Sequence, residues 1–449
     1  MKKTSYLIIC AAVLLVGCAK EQIYNPFGHA LVPDMIADAS IADFNGTFYC
    51  YATTDGYGQG LATSGPPTLW ISEDFEHWRF SGTYFPEVAT RKFWAPSKAV
   101  ERNGKYFLYP TVDGQMYAAV SESPEGPFRM AKEGLLVPQD PGGIDAEVFV
   151  DDDGQAYLFW SRNHVAKLAS DMITVDTTMQ VIETPRHVYS EGPAFFKRNG
   201  IYYYLYTVGG DEKYQYAYMT SRESPMGPFS VPEKDIITTT DYANGVLGPG
   251  HGCVLNPKGT DDYYFVYLEF GRRSTNRQTY VNKMEFDEEG NILPVKLDLN
   301  GVGALRGKKA KKPYRIKDVT ASSIRDSLWI KPIKDTTVSR TEQFFPEYAL
   351  DGQNGSRWMA SEADNEAWIC ADLGYPRTIH TSKAYFVRPT AGHAYCLEGS
   401  LDGKEWIRCG GHDDVQCLSP HVDKVERRFR YLRITITNGI NGLWEWEIR

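Results

Sequence analysis

The stretch YSEGPAFFKRNGIYYYLYT, Tyr189–Thr207, holds three signals in a row. A carboxylate, Glu191, precedes an apolar run. An Asn-Gly pair follows, then a second run of aromatic residues. Asn-Gly between two such runs marks a tight β-hairpin, because both turn residues must take positive φ. The unit recurs as ADFNGTFYCYAT from Ala42, VERNGKYFLYPT from Val100, VDDDGQAYLFWS from Val150 and NPKGTDDYYFVYLEF from Asn256. The period is roughly 45–60 residues, which is propeller spacing. A second element alternates with it: WISEDFEHW, AVSESPEGPF and MTSRESPMGPF read as outer strands ending in Ser-rich turns. Five units predict a five-bladed β-propeller closed around a channel. A β-sandwich of many hairpins is the rival, and the regular spacing of two distinct elements argues against it. No helix-period segment of useful length stands outside the N-terminus, so the chain is read as all-β.

The repeat runs out near Pro294. After RGKKAKKPYR, Arg306–Arg315, which reads as a solvated linker, the texture changes to that of an independent β unit of sandwich size. The predicted layout is a signal peptide over 1–17, a propeller with its linker over 18–314 and a jelly-roll-like β-sandwich over 315–449. At the start, Lys2 and Lys3 precede an apolar run, Tyr6–Val16, too short to span a bilayer. LVGC, Leu15–Cys18, resembles a bacterial lipobox. That resemblance implies cleavage before Cys18, lipidation of Cys18 and anchoring at the outer membrane, on the cell surface or the periplasmic face. The net charge is −9 and no basic stripe offsets it, so nucleic acid is not an expected partner. Six cysteines lie beyond Cys18 with no CxxC spacing, which argues against zinc and leaves disulfides and buried thiols both open.

A propeller gathers the turns before its innermost strands at one mouth. Asp38, Asp145 and Glu191 each stand about eight residues before a turn glycine, so equivalent positions and convergence are expected. Glycoside hydrolysis needs one carboxylic acid to protonate the leaving oxygen and one carboxylate to activate water. Acidic residues before turns are common, however, and on spacing alone the solvated-turn reading prevails.

ADASIADFNGTFYCYAT, FWAPSKAVERNGKYFLYPT, IDAEVFVDDDGQAYLFWS, EGPAFFKRNGIYYYLYT and GPGHGCV together resemble glycoside hydrolase family 43 over about Asn25–Pro294. The resemblance implies an inverting, exo-acting hydrolase of plant polysaccharides, first an α-L-arabinofuranosidase or β-xylosidase. An exo-β-galactosidase is an alternative, and a non-catalytic surface glycan-binding lipoprotein is a rival of another class. It assigns Asp38 as general base, Asp145 as the residue that modulates and orients the acid, and Glu191 as general acid. His251 in GPGHG would position the site and contact a bound ion, commonly calcium, through water. Trp94 in FWAPS would form an aromatic wall against the sugar. Arg277, and more weakly Arg272, would lie near the sugar ring. The family's Pro after the first and second Asp is replaced here by Ala39 and Ala146, which puts the local turn geometry in question.

YALDGQNGSRWMASEADNEAWICADLG, YCLEGSLDGKEWIRC and RFRYLRITITNGINGLWEWEIR resemble the discoidin, or coagulation factor 5/8 type C, fold of family 32 carbohydrate-binding modules. By that resemblance Asp351, Ser356 and Glu445 are candidate ligands of a structural calcium, and no cofactor is required for the chemistry. The expected partners are an oligosaccharide or polysaccharide and, through the lipid, a membrane.

Overall fold

The computed structural model describes residues 25–449 except 59–60, 274, 308–311 and 338. The signal peptide, with its lipobox and Cys18, falls outside the described residues. Five antiparallel sheets form the first module. Four have four strands and the fifth has three, and a small extra sheet pairs Phe93–Trp94 with Thr111–Val112 and Gln115–Met116. The innermost strands are Ile36–Phe44, Val100–Arg102, Glu147–Val150, Tyr189–Arg198 and Gly250–Leu255, one for each blade. The only helices among the described residues are short 3-10 turns.

The hairpin turns adopt the conformation that their residues favour. Asn45 and Gly46 have φ of 52° and 88°, and Asn199 and Gly200 have φ of 50° and 75°. Both pairs therefore take positive φ at both central positions, as a type I′ turn requires. The Tyr-rich strands are packed on both faces by neighbouring blades, which is why Ile201–Thr207 is buried without alternation. Phe159 of blade three stacks on Phe195 of blade four with ring centroids 4.3 Å apart. The tyrosines also bring a polar tip that must be satisfied. Tyr203 donates to Gly290 O at 2.6 Å, and Tyr204 donates to Asn163 Oδ1 at 3.0 Å.

Closure of the ring uses the segment ahead of blade one. Leu31 N donates to Thr279 O at 2.8 Å, and Tyr280 Oη donates to Phe27 O at 2.6 Å, so this segment lies along the outer strand of blade five. Residues 294–307 are not a free tether. Leu297 and Leu299 are buried in the propeller core, and Arg306 pairs with Asp43.

The second module is a β-sandwich. Two long strands, Trp368–Phe386 and His421–Asn438, pair with each other through bulges and carry most of its core. Trp358, Ile369, Leu397, Ile434 and Trp446 are buried there. Its first tie comes at Tyr314, whose N–H donates to Ile448 O at 2.7 Å.

The two modules share a polar, buried interface. Arg272 of the propeller donates to Glu342 Oε1 at 3.0 Å, and Arg357 of the sandwich lies 3.2 Å from the same oxygen. Asn25 donates to Asp351 at 2.8 Å and accepts from Ser356 at 2.6 Å. At Gly355 the backbone N–H bonds to Gly28 O, and a Cβ would sit 2.1 Å from Phe27 O, so no side chain fits. Removing one partner of a buried ion pair leaves an uncompensated charge, at a cost of about 3–5 kcal/mol. Glu342→Gln abandons two guanidiniums at once. It should lower the thermal midpoint by several degrees, whereas Glu362→Gln, at an exposed pair with Arg325, should leave it nearly unchanged; differential scanning calorimetry compares the two.

Candidate active site

Each inner strand begins with a kink at the same mouth of the channel. In blades one and three the kink residue is the carboxylate itself, since Asp38 has φ of 52° and Asp145 of 60°. Asp tolerates the left-handed region better than most residues, because its short polar side chain bonds locally. In blade four the kink is Gly192, φ 60°, so Glu191 stands one residue earlier than strict equivalence predicts. The longer Glu side chain suits that offset. Gly192 is also forced by proximity, because a Cβ there would come within 2.6 Å of the His251 ring. Replacement of the family's prolines by Ala39 and Ala146 leaves this kink in place.

Threonines on the preceding blade hold two of the kinks. Ala95 N in blade two donates to Thr53 Oγ1 at 2.8 Å, and Asp145 N donates to Thr111 Oγ1 at 3.1 Å. Thr53 in turn donates to Asp38 Oδ2 at 2.6 Å. One hydroxyl thus ties the carboxylate of blade one to the backbone beside Trp94.

Charge is arranged asymmetrically. Asp38 is buried, and burial alone would raise its pKa. Arg277 first, then His251 and the Thr53 hydroxyl, outweigh burial and hold Asp38 below the usual carboxylate range. Arg277 Nη1 lies 3.1 Å from Asp38 Oδ1, and its Nε lies 2.9 Å from Asp55 Oδ2. His251 Nδ1 is 3.5 Å from Asp38 Oδ1. Burial pulls the His251 pKa down, but Asp38, Asp145 and Glu191 outweigh it and raise it above the ordinary histidine value. Asp145 is pushed up to about 7, chiefly by burial and further by Glu191 and Asp38, against the pull of His251. Glu191 is only partly buried, and its Oε1 accepts from Tyr214 Oη at 2.8 Å. Gly192 N–H approaches Asp145 Oδ2 at 3.4 Å. The ligating atoms of Asp145, Glu191 and His251 all lie within 4.8 Å of one another. The site therefore offers one firmly ionised carboxylate, Asp38, and across from it Asp145, raised toward neutral pH, with Glu191 at its side. A cavity of about 670 Å³ lined by Ile144, Ser161, Tyr189 and Ser190 lies between blades three and four, and none of Asp38, Asp145, Glu191 and His251 lines it.

The structure brings Asp38, Asp145, Glu191, His251 and Arg277 together. Trp94 is partly exposed and adjoins Ala95, on the blade-one side of the mouth. Arg272 is a correction. It does not face the sugar site, because its guanidinium is buried against Glu342, Gln278 and the Gly355 carbonyl, stacked over Phe27. Asp55 and Tyr214 take part in the site and escaped the sequence reading. Asp55 follows the second strand of blade one in TTDGYG, where only its place before Gly56 hinted at a role. Tyr214 carried no signal among so many structural tyrosines.

The candidate calcium ligands lie at the module interface. Asp351 and Glu445 are close and mostly buried. Burial pushes Asp351 up to about 7, and burial, Asp351 and Glu447 push Glu445 well above the carboxylate range. Two crowded carboxylates fit a hard cation. The Ser356 hydroxyl spends its proton on Asn25 Oδ1.

Comparison with known proteins identifies both modules. The family model described as glycosyl hydrolases family 43 matches residues 25–292, and that of the F5/8 type C domain matches residues 332–448. A β-D-galactofuranosidase of Aspergillus niger is 34% identical, with 61% of this chain and 86% of that protein aligned. An arabinoxylan arabinofuranohydrolase of Bacillus subtilis is 32% identical, over 46% of this chain and 48% of that protein. A solved structure described as a glycoside hydrolase superposes with a TM-score of 0.92 at 62% identity, covering 95% of this chain and 100% of that one. The chain belongs to glycoside hydrolase family 43, with an F5/8 type C domain as its second module.

Proposed function

We propose that this glycoside hydrolase removes terminal furanose residues from plant polysaccharides with inversion at the anomeric carbon, and that α-L-arabinofuranose is its first substrate. The observation that carries the mechanism is that Arg277 holds Asp38 while Asp145 and Glu191 face each other beside His251. Asp38, kept ionised by Arg277, takes a proton from the attacking water. Glu191, which is only partly buried, gives a proton to the departing oxygen. Asp145 positions Glu191 through the Gly192 backbone and adds negative charge that helps the pair retain its proton.

The furanoside preference is supported by the two curated relatives above, which are both named for action on furanosides. α-L-Arabinofuranose and β-D-galactofuranose share the configuration of their ring and differ in the exocyclic chain at C4. A pocket shaped for one ring accepts the other when that chain has room. Galactofuranose is accordingly the second reading, ahead of β-xylopyranose. We also propose that Cys18 carries the lipid that anchors the enzyme at the outer membrane. Calcium, where bound, would be held by Asp351 and Glu445, with Asn25 keeping their loop in place, and would supply charge compensation away from the chemistry.

The substrate reading is tested with nitrophenyl α-L-arabinofuranoside, β-D-galactofuranoside and β-D-xylopyranoside. The furanosides should give the higher kcat/KM, and preference for the xyloside would overturn it. The roles of acid and base separate by leaving group. Glu191→Gln should lose about 10²–10⁴-fold on a poor leaving group and much less on a dinitrophenyl furanoside, whose phenolate departs unprotonated. Asp38→Asn should suffer alike on both, since water must be activated whatever leaves. Equal losses in both variants on both substrates would contradict the assignment.

The Asp145 charge gives a pH test. Its folded pKa of about 7 lies above the unfolded value of about 4, so the cost of its burial appears as pH rises through that window. Asp145→Asn should therefore gain thermal stability relative to the parent at pH 8 and not at pH 4. The alkaline limb of its kcat/KM profile should move to lower pH, because a charge that helps retain the proton is gone.

A further inference from the structure

A cavity of about 530 Å³ lies between the modules on the mouth side, walled by Asp55–Gly58 and Arg272–Arg273 of the propeller and by Trp329, Phe344, Arg357 and Trp444 of the sandwich side. It is not the hydrolytic site. Asp55 stands between the two, with its carboxylate turned to Arg277.

Its charge is unlike the rest of the molecule. The protein carries a net charge of −9, yet Arg and Lys outnumber carboxylates among the residues lining this cavity. Three carboxylates line it: Asp34, which accepts from Met35 N at 2.9 Å, and two that face arginines. Asp55 is spent on Arg277, and the single carboxylate of Glu342 serves both Arg272 and Arg357. With Asp34 counted, the lining still holds six Arg and Lys against three carboxylates, and a buried charge without a full partner is costly. The Arg357 guanidinium sits 4.6 Å over the Trp444 ring. At the rim, the exposed Arg273 and Lys331 have no ion-pair partner among the described residues. Trp329 is 61% exposed, on the hairpin Leu328–Ile330 with Arg340–Glu342. That hairpin is pinned to the propeller, because Glu212 accepts from Ile333 N at 2.7 Å and Lys334 N at 2.8 Å.

An exposed indole held rigidly beside unspent cations suits a flat, anionic ligand with an apolar face. A sugar ring presents that face through its C–H groups, and a carboxylate matches the guanidinium fork. We propose that the intermodule cleft binds acidic carbohydrate, a uronic acid residue of a glycan, with its carboxylate toward Arg357, Arg273 and Lys331 and its ring against Trp329. The proposal explains why the second module is fixed against the propeller, since neither module alone forms the cleft. It goes beyond the hydrolytic reading, and its test reads binding without turnover.

Isothermal titration of the full chain with trigalacturonate and with a glucuronate-terminated disaccharide, each beside its carboxyl-reduced counterpart, tests it. At least one acidic probe should bind about tenfold or more tightly than its neutral counterpart, and added salt should weaken it. Arg273→Ala/Lys331→Ala, at exposed positions that spare the fold, should weaken the acidic probe about tenfold, and Trp329→Ala should weaken it too. Binding of neither acid, equal binding of acid and neutral forms, or unchanged binding in these variants would overturn the site. Inorganic phosphate binding as tightly as the better saccharide would overturn its assignment to carbohydrate.

Discussion

Arg277, shared between Asp38 and Asp55, is the contact on which the electrostatics of the mouth depend. Two buried carboxylates, a third beside them and a histidine cannot be gathered without a fixed cation, since each negative charge opposes the next. Arg277 resolves the conflict unevenly. It lies on Asp38 and leaves Asp145 and Glu191 to each other and to His251. One acidic group is thereby committed to its anion, while Asp145 is raised toward neutral pH. Asp55 is the counterweight. Without it Arg277 would be held from one side only, and its position against Asp38 would be looser.

The same economy of charge governs the joint between the modules. Glu342 answers Arg272 from the propeller and Arg357 from the sandwich, and Asn25 bridges to Asp351 and Ser356. Specific hydrogen bonds of this kind fix a relative orientation that apolar contact alone would leave free to slide. The catalytic mouth and the intermodule cleft adjoin through the Asp55–Gly58 turn, so a rigid joint keeps both on one face.

The propeller was legible because its signals are local. A polar turn centred on Gly, with Asn before it in three of the five units, and the strands on either side lie within a dozen residues, and five repetitions imply the ring. The gathering of Asp38, Asp145 and Glu191 followed from that ring, but the one-residue offset of Glu191 did not. It depends on Gly192 meeting His251, a contact between blades. Arg277 and Arg272 show the same limit. They stand five residues apart on one loop, yet one faces the channel and the other faces the sandwich, and no pattern in the sequence distinguishes them. Asp55 is bound to a residue 222 positions away, and its role becomes visible only when blade five closes on blade one.

The central claim is that Asp38 activates water on the face of the sugar opposite the proton supplied by Glu191. The most direct measurement is proton NMR of the first sugar released from an aryl arabinofuranoside, taken before mutarotation. The account predicts the β-anomer from an α-substrate. Release of the α-anomer would mean a covalent intermediate and a carboxylate acting as nucleophile, and would contradict the roles assigned to Asp38 and its partners.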